Sequence, residues 1–229
     1  MKISGLQKLS LVDYDGHIAC TIFTPGCNFA CPFCHNSLLV TNIQENTFVK
    51  KEEIFSHLKK REGIIDAIVI SGGEPTLQPD LVEFIKELRQ MPISIKLDTN
   101  GTNLAVLKEL VENNLIDYVA MDIKNSMEKY PQTIDREIEI SKIKDTISYI
   151  MNSGIDYEFR TTLVKNFHTE KDIEDIGKLL KGAKKYCLQK FVDNDNCIGK
   201  GLVEIPKTEA LAMQEMVKKY IPNTILRGY

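Results

Sequence analysis

The chain has 229 residues, of which 43% are hydrophobic and 27% are charged, and it carries a net charge of −3 at pH 7. This composition is that of a globular protein with a sizeable core, and the slightly acidic balance argues against a nucleic-acid-binding surface. The apolar runs have the length of strands and predict no membrane span, and Asp13, Asp15 and Gly16 interrupt the first segment before a signal peptide could form. We therefore expect a reduced, cytoplasmic protein, in which cysteines bind metals or act in catalysis more often than they form disulfides.

The first predicted element is a β-hairpin. Two short apolar runs flank Asp15 and Gly16, and Asp-Gly between such runs is a strong signal for a tight hairpin turn. The second run, HIACTIF, leads directly into a segment with three cysteines, GCNFACPFCHN. The hairpin and the first main strand are expected to occupy residues 1–23.

From residue 50 onward, helical and strand patterns alternate. Apolar residues recur at helical spacing in KEEIFSHLKK, in PDLVEFIKEL and in later segments, and Pro79 is expected at the first position of the second of these helices. In chain order, the predicted strands are HIACTIF, AIVIS, ISIKL, YVAMDI, YEFRTTLV and CLQKFV. Thr169 and Asp172 predict a capping box at the start of the helix that follows the fifth strand, and a final helix is expected around residues 208–220.

Strand–helix repeats of this kind predict parallel strands covered by helices and joined by right-handed crossovers. Six strands are too few for a closed eight-stranded barrel, so the predicted fold is α/β: a partial (β/α)6 TIM-like barrel of parallel strands with an N-terminal β-hairpin. We expect one domain over residues 1–229, with the barrel core at 24–193 and a C-terminal loop, helix and tail at 194–229. Asp193 and Asp195 are expected to be solvated turn formers, and the last five residues predict a frayed tail or a short edge strand.

Polar and ligating residues follow the predicted strands at the point where each strand ends. In chain order they are Cys27, Cys31 and Cys34, then 71–75, 98–101, 121–124, and Arg160 within the fifth strand. In barrels of this class, functional residues lie at the carboxyl ends of the strands. This placement favours a functional interpretation of Asp122 and Lys124 over a solvent-facing charge pair.

The three cysteines are the strongest chemical signal. Soft thiolates select zinc or iron–sulfur clusters, and a [4Fe–4S] cluster normally takes four cysteines. With three, one iron would keep coordination sites open for a substrate. Two alternatives stay open on spacing alone: a zinc site with His35 as the fourth ligand, and three unligated core thiols.

The segment Gly72-Gly73-Glu74-Pro75 adds a second signal one strand later. Two glycines let the backbone approach a ligand closely, and Glu74 supplies an acceptor for an ammonium or hydroxyl group. Alone, this segment is equally typical of a tight turn with a proline.

Together, these segments resemble the radical S-adenosylmethionine (SAM) superfamily, through the C-x3-C-x2-C spacing, Phe33 before the last cysteine, and the GGEP segment. The CHN run at 34–36, DTNG at 98–101 and the pair Asp122 and Lys124 are similar to the glycyl-radical-enzyme activases. GLQK, SLVDY and FTPGCNF resemble the anaerobic ribonucleoside-triphosphate reductase activating proteins in particular, although Asp15 stands where that family often has proline. The resemblance covers residues from about 5 to about 193.

The resemblance implies a role for each matching residue. Cys27, Cys31 and Cys34 would hold a [4Fe–4S] cluster whose fourth iron binds SAM. The implied SAM-binding positions are Phe33, His35, Asn36, Gly72, Gly73, Glu74, Asp98, Thr99 and Asp122. Within this set, Gly72, Gly73 and Glu74 would meet the methionyl amino group, and His35 is expected to pack beside the cysteine loop rather than to bind metal.

Two further roles are implied by the same resemblance. Asp98, Thr99 and Asp122, with the Ala120 carbonyl, match positions that form a monovalent-cation site in pyruvate formate-lyase activases. The implied catalytic residues are Lys124 and Arg160, which would lie near the cofactor or the inserted substrate loop.

The implied reaction is reductive cleavage of SAM at the cluster, followed by use of the 5′-deoxyadenosyl radical to install a glycyl radical on a partner enzyme. The expected partner is anaerobic ribonucleoside-triphosphate reductase, and the expected electron donor is a flavodoxin or ferredoxin. The alternatives are an activase of pyruvate formate-lyase or another glycyl-radical enzyme, and a small-molecule enzyme such as a 7-carboxy-7-deazaguanine synthase. A zinc-binding interaction domain is the alternative from a different class.

The remaining cysteines and histidines predict no second site. Cys20 is expected to be a core thiol, and Cys187 and Cys197 fit no compact four-cysteine motif. His17, His57 and His168 are expected at surface or turn positions without a function.

Overall fold

The structure is a computed structural model that describes residues 1–44, 47–193 and 196–229. It comprises two compact units: the first unit is Met1–Cys27 with Leu38–Val119, and the second unit is Asn28–Ser37 with Ala120–Tyr229. Asp195, predicted to be a turn former, lies outside the described residues. Within those ranges, no helix has the length and apolar character needed to cross a membrane.

The first unit contains the predicted hairpin and the first parallel strands. Its strands are β1 (Gly5–Ser10), β2 (Ala19–Thr24), β3 (Ala67–Gly72) and β4 (Ser94–Thr99). β1 and β2 pair antiparallel around a turn in which Gly16 has a φ of 83°, whereas β2, β3 and β4 are parallel neighbours. The first four residues of β3 are all buried, which explains their uninterrupted apolar run.

Among the described residues of the first unit, four α-helices accompany these strands. They are α1 (Leu38–Thr41), α2 (Lys51–Lys60), α3 (Leu81–Leu88) and α4 (Leu104–Glu112). The prediction that Pro79 opens α3 is wrong, because the Leu81 N–H donates to the Gln78 carbonyl and closes a turn around Pro79 and Asp80. The first helical bond runs from the Phe84 N–H to the Asp80 carbonyl.

β5 (Tyr118–Asp122) begins in the first unit and ends in the second. The second unit contains the parallel strands β6 (Asp156–Leu163), β7 (Tyr186–Lys190) and β8 (Thr224–Arg227). Its helices are α5 (Tyr130–Ile134), α6 (Ile140–Asn152), α7 (Glu170–Leu179) and α8 (Lys207–Lys218). β8 shows that the chain ends in a short strand, the second of the two predicted outcomes for the tail.

Most of these elements lie where the sequence predicted them. The α/β class, the parallel strands and the N-terminal hairpin are confirmed, and the capping box at α7 forms between Thr169 and Asp172. The unpredicted elements are α1, α5 and a 3₁₀ turn at Pro75–Leu77. These segments have only three to five residues, which is too short for a helical period to be recognisable.

Candidate active site

In the first unit, the glycine turn after β3 packs against the backbone that leads to Cys27. The Gly73 N–H donates to the Thr24 carbonyl at 2.9 Å, and the Glu74 N–H donates to the Gly26 carbonyl at 2.8 Å. Gly72 has a φ of +125°, and a Cβ on Gly73 would lie 1.9 Å from the Gly26 oxygen. The two glycines are therefore required here because the chain approaches its own backbone closely.

Replacing Gly73 with alanine is expected to destabilise the fold and to disturb the cysteine loop. The added methyl group cannot avoid the Gly26 carbonyl, and overpacking of this kind typically costs about 1–3 kcal/mol. Thermal unfolding and iron content after reconstitution measure the two effects. Gly5→Ala is a matched control, because its Cβ would meet only the Phe23 ring at an ordinary 3.4 Å. Equal unfolding temperatures for Gly73→Ala and the wild type would contradict the expectation.

Glu74 is fully buried behind this turn and accepts four hydrogen bonds. Its Oε1 atom accepts from the Thr76 N–H at 3.1 Å, the Thr76 hydroxyl at 2.5 Å and the Thr99 hydroxyl at 2.7 Å, and its Oε2 atom accepts from the Asn100 N–H at 2.6 Å. Burial raises the pKa of this carboxyl, and the four donors oppose that shift. Glu74 and Thr99, both predicted site residues, are thus joined directly.

Asn100 is a site residue that the sequence reading missed. Its backbone N–H binds Glu74, and its side-chain Nδ2 lies 3.9 Å from the Cys27 sulfur. Asn100 thereby links Cys27 to the end of β4 within the first unit. Asn100 belongs to the DTNG segment singled out in the sequence but has no predicted role of its own, because no local signal indicates its contact with a residue far away in sequence.

Asp98, the remaining predicted site residue of the first unit, points to different partners. The Ser71 hydroxyl donates to its Oδ2 atom at 3.0 Å, and the Lys96 Nζ atom lies 3.7 Å from its Oδ1 atom. The predicted site residues at the ends of β3 and β4 thus belong to two groups of interacting side chains. One group surrounds Glu74 and the other surrounds Asp98.

In the second unit, Asp122 brings the two predicted catalytic residues together. The Arg160 Nε atom donates to Asp122 Oδ1 at 2.8 Å, and the Lys124 ammonium donates to Oδ2 at 2.9 Å. Burial acts to raise the pKa of Asp122, but the two neighbouring cations outweigh it and hold that pKa well below its usual range. The Asp122 carboxylate in turn keeps the pKa of Lys124 above its usual range, although burial acts in the opposite direction. All three groups are therefore charged at neutral pH.

The same lysine influences the two cysteines of the second unit. Burial raises the pKa of the Cys34 thiol, and the Lys124 ammonium and a hydrogen bond from the Asn36 backbone act to lower it. A Cys31 thiolate would likewise favour the charged form of Lys124. At Cys34 burial is the larger effect, so the thiol pKa is raised overall and the Lys124 ammonium offsets part of that rise.

Phe33 is buried in the cysteine loop against aromatic rings. Its ring centroid lies 5.5 Å from that of Phe167 and 6.2 Å from that of His168. His168, predicted at a surface or turn position, follows the turn that begins at Val164 but is not at the surface: it is 3% exposed, and its Nε2 atom lies 2.8 Å from the Lys124 carbonyl. Since the Val164 N–H donates to Nδ1, the neutral ring can donate from Nε2 to that carbonyl, and burial lowers the pKa of His168. His168 thus fixes the backbone of Lys124, a role that its sequence neighbours do not indicate.

The segment after β7 holds the cysteine loop from another side. The His35 ring stacks on Phe191 with centroids 5.4 Å apart and planes 8° from parallel, and His35 Nε2 lies 2.8 Å from the Val192 carbonyl. The Gly199 N–H also donates to the Pro32 carbonyl at 2.7 Å. These contacts show that His35 packs against the segment after β7.

Replacing His35 with alanine is expected to loosen the loop and to speed the loss of iron from the reconstituted protein. The stacked pair alone contributes about 0.5–1.5 kcal/mol beyond its buried area. Iron release to a chelator measures the effect. His57→Ala is a matched control, because His57 also binds a carbonyl through Nε2 at 2.8 Å, that of Lys8, but lies outside the loop. Identical rates of iron release from His35→Ala, His57→Ala and the wild type would contradict the view that His35 stabilises the cysteine loop.

The donor set fits a thiolate-bound cluster in its chemistry. All six cysteines are described, and none of them forms a disulfide. Among the described residues, no three His, Cys, Asp or Glu side chains are already arranged as a metal site. Cys27 belongs to the first unit, and Cys31 and Cys34 belong to the second. The assignment of a cluster to these three cysteines therefore rests on their spacing and on the cation beside two of them, and it stays a prediction.

Comparisons with known proteins show the family to which the chain belongs. The model of the radical SAM superfamily matches residues 21–180. A provisionally named glycyl-radical enzyme activating enzyme of Methanocaldococcus jannaschii is 36% identical over 233 residues, covering 98% of this chain and 95% of its own length. The pyruvate formate-lyase-activating enzyme of Clostridium pasteurianum is 24% identical over 189 residues, covering 80% of this chain and 77% of its own length.

Solved structures show the same fold. Streptococcus suis SuiB bound to S-adenosylmethionine superposes with a TM-score of 0.70 at 14% identity, and the match covers 91% of this chain and 52% of SuiB. The chain thus spans about half the length of SuiB, and at this identity the likeness concerns the fold alone. It agrees with the predicted partial (β/α)6 barrel class.

Proposed function

The chain belongs to the radical SAM superfamily and, within it, to the glycyl-radical-enzyme activating enzymes, and we propose that its protein substrate is anaerobic ribonucleoside-triphosphate reductase. The family rests on the superfamily match and on a relative that is 36% identical over nearly the whole of both chains. The chain is accordingly an enzyme, and its cofactors are those of the superfamily, a [4Fe–4S] cluster and SAM. The choice of the reductase rests on the resemblance of GLQK, SLVDY and FTPGCNF to its activating proteins.

Cys27, Cys31 and Cys34 would hold the cluster. When bound and reduced, the cluster supplies the electron that cleaves SAM, and the resulting radical chemistry abstracts a hydrogen from a glycine Cα. The Lys124 ammonium opposes the rise in the pKa of Cys34 that burial causes, and Phe33 and His35 pack the loop that carries Cys31 and Cys34. The protein thus contributes orientation and charge around the cofactor.

Glu74 would serve SAM chiefly by holding the glycine turn in shape. A carboxylate offers about four acceptor positions, and Glu74 already receives four hydrogen bonds. A methionyl amino group that met Glu74 would share an oxygen with one of these donors. We therefore propose that the backbone of the turn at 72–74 contacts the amino group. The Glu74 side chain would keep that turn in place.

Lys124 and Arg160 would act as a fixed pair through Asp122. Each donates to a different oxygen of the same carboxylate, so neither can move independently of it. Two oriented cations suit the carboxylate of SAM, because charge-assisted hydrogen bonds are stronger than neutral ones.

The electron that reduces the cluster would come from a flavodoxin or a ferredoxin.

Activation of pyruvate formate-lyase is the second candidate function. It is favoured by the match with the Clostridium pasteurianum enzyme, which extends over 80% of this chain. A small-molecule substrate is the third, since the superfamily chemistry does not require a protein partner.

Electron paramagnetic resonance separates these candidates. The reconstituted, reduced protein is mixed with SAM and, in parallel, with an anaerobic ribonucleoside-triphosphate reductase or a pyruvate formate-lyase. We expect a glycyl-radical doublet with the reductase. A doublet with the lyase alone would transfer the assignment to that enzyme, and 5′-deoxyadenosine release that depends on a small molecule, without a doublet, would overturn activation. Zinc without iron in anaerobically purified protein would contradict the radical chemistry altogether.

A further inference from the structure

Lys96 is a buried lysine to which the proposed function gives no role. It lies in β4 two residues before Asp98, so both side chains belong to the same face of the strand. Its side chain is 3% exposed. A buried ammonium is costly unless it has partners, so its partners indicate what it is for.

Four groups of the first unit surround the Lys96 ammonium. It donates to the Asp13 carbonyl, and it lies 3.7 Å from Asp98 Oδ1. It also lies 5.7 Å from the ring centroid of Tyr14 and 5.6 Å from that of Tyr118, within the range of cation–π attraction. Because one carbonyl and two rings hold the ammonium, it stays beside Asp98 as a fixed positive charge.

This arrangement does not suit the monovalent-cation site that the resemblance implies. Asp98 would be a ligand of that cation, but its Oδ1 atom lies 3.7 Å from the Lys96 ammonium in an ion pair, and its Oδ2 atom accepts from Ser71. Asp122, the other implied carboxylate, binds Arg160 with one oxygen and Lys124 with the other. A K⁺ or Na⁺ ion at either carboxylate would face a positive charge of the protein itself.

We propose that Lys96 replaces the monovalent cation, so that this enzyme binds SAM without K⁺ or Na⁺. Lys96 is thus a positioning residue: its positive charge lies beside Asp98, the residue that would meet the cofactor. The proposal rests on the assignment of SAM to the turn at 72–74 and to Asp98 and Thr99.

The test measures SAM affinity of the reconstituted holoenzyme without a protein partner. Binding is compared in KCl, NaCl and choline chloride at equal ionic strength. We expect wild-type affinity to be the same in all three salts. Lys96→Met removes the charge and keeps most of the volume, and it is expected to weaken binding in choline chloride and to recover about tenfold in KCl or NaCl, a typical size for coupling between two sites. Lys86→Met, at an exposed lysine paired with Glu83, is the matched control and should behave as the wild type.

Sodium-23 relaxation gives a second readout that does not depend on catalysis. SAM should cause no additional broadening with the wild type and should cause it with Lys96→Met. Wild-type affinity that falls several-fold in choline chloride would overturn the proposal, as would a folded Lys96→Met protein that binds SAM like the wild type in every salt. The wild-type comparison needs no variant, so it decides the question even if Lys96→Met fails to fold. Absence of SAM binding in every salt would instead overturn the proposed function, and the inference with it.

Discussion

Replacement of Cys34 by serine is expected to abolish both cluster assembly and SAM cleavage. A serine hydroxyl remains protonated at neutral pH and is a poor ligand for iron, whereas the Cys34 thiol lies beside a lysine and accepts a backbone hydrogen bond from Asn36. With three cysteines for a four-iron cluster, no spare thiol exists in the motif to replace the lost one. Iron per chain after reconstitution and 5′-deoxyadenosine formed under reduction should both fall to background.

Cys197 provides the matched control for this experiment. It is 4% exposed, lies in the same unit as Cys34 and is close enough to affect the pKa of Cys34. If the C-x3-C-x2-C spacing defines the ligands, Cys197→Ser will retain iron and SAM cleavage, whereas Cys34→Ser will lose both. Loss of iron from Cys197→Ser with retention in Cys34→Ser would show that the cluster ligands have been assigned to the wrong thiols.

The sequence predicts the elements well because they depend on local patterns, and the same patterns led to the candidate site residues, whose roles stay predictions. Strand runs, helical spacing and turn residues are each visible within about ten positions, and the rule that function lies at the carboxyl ends of parallel strands then collects the polar residues. The capping box at Thr169 and Asp172 is a case in which four consecutive residues contain the whole interaction. The prediction for Pro79 is wrong for the same reason. Proline is favoured both in a turn just before a helix and at the first residue of the helix, so the local sequence does not distinguish the two positions.

What the sequence does not predict is which partner each site residue has. Asn100 contacts the Cys27 sulfur across 73 positions of sequence, and His168 contacts the Lys124 carbonyl across 44. In the sequence, Lys96 looks like any lysine in a strand. Only the packed structure shows that it is buried beside Asp98. Such contacts depend on the register of strands and loops that are distant in sequence, and no local period encodes that register.

Replacement of Asp122 by asparagine is expected to lower the free energy of unfolding by about 2 kcal/mol and to reduce SAM cleavage sharply. The substitution leaves Arg160 and Lys124 facing each other without their shared carboxylate. Removing one partner of a fully buried ion pair costs roughly 3–5 kcal/mol, and the smaller value applies here because the three side chains keep 11–29% exposure. Denaturant unfolding measures the stability, and SAM cleavage without a protein partner measures the loss of orientation.

The surface of α7 offers a closely matched control for this variant. Asp175 also binds two lysines, Lys171 at 3.0 Å and Lys178 at 3.1 Å, but both lysines are exposed. Asp175→Asn should therefore change the free energy of unfolding by no more than about 0.5 kcal/mol. A comparable loss in Asp122→Asn and Asp175→Asn would contradict the view that burial makes the Asp122 group costly to break.

The pH dependence of the Asp122→Asn effect follows from the lowered pKa of Asp122. A carboxyl whose folded-state pKa is depressed stabilises the fold at pH values above its unfolded-state pKa of about 4, and this stabilisation is lost as the pH falls toward the folded-state value. The difference in unfolding free energy between the wild type and Asp122→Asn should therefore be constant near neutral pH and shrink below about pH 4. A difference that stayed constant down to the lowest pH at which the wild type folds would mean that the loss comes from packing and not from the charge that holds Lys124 and Arg160 in place.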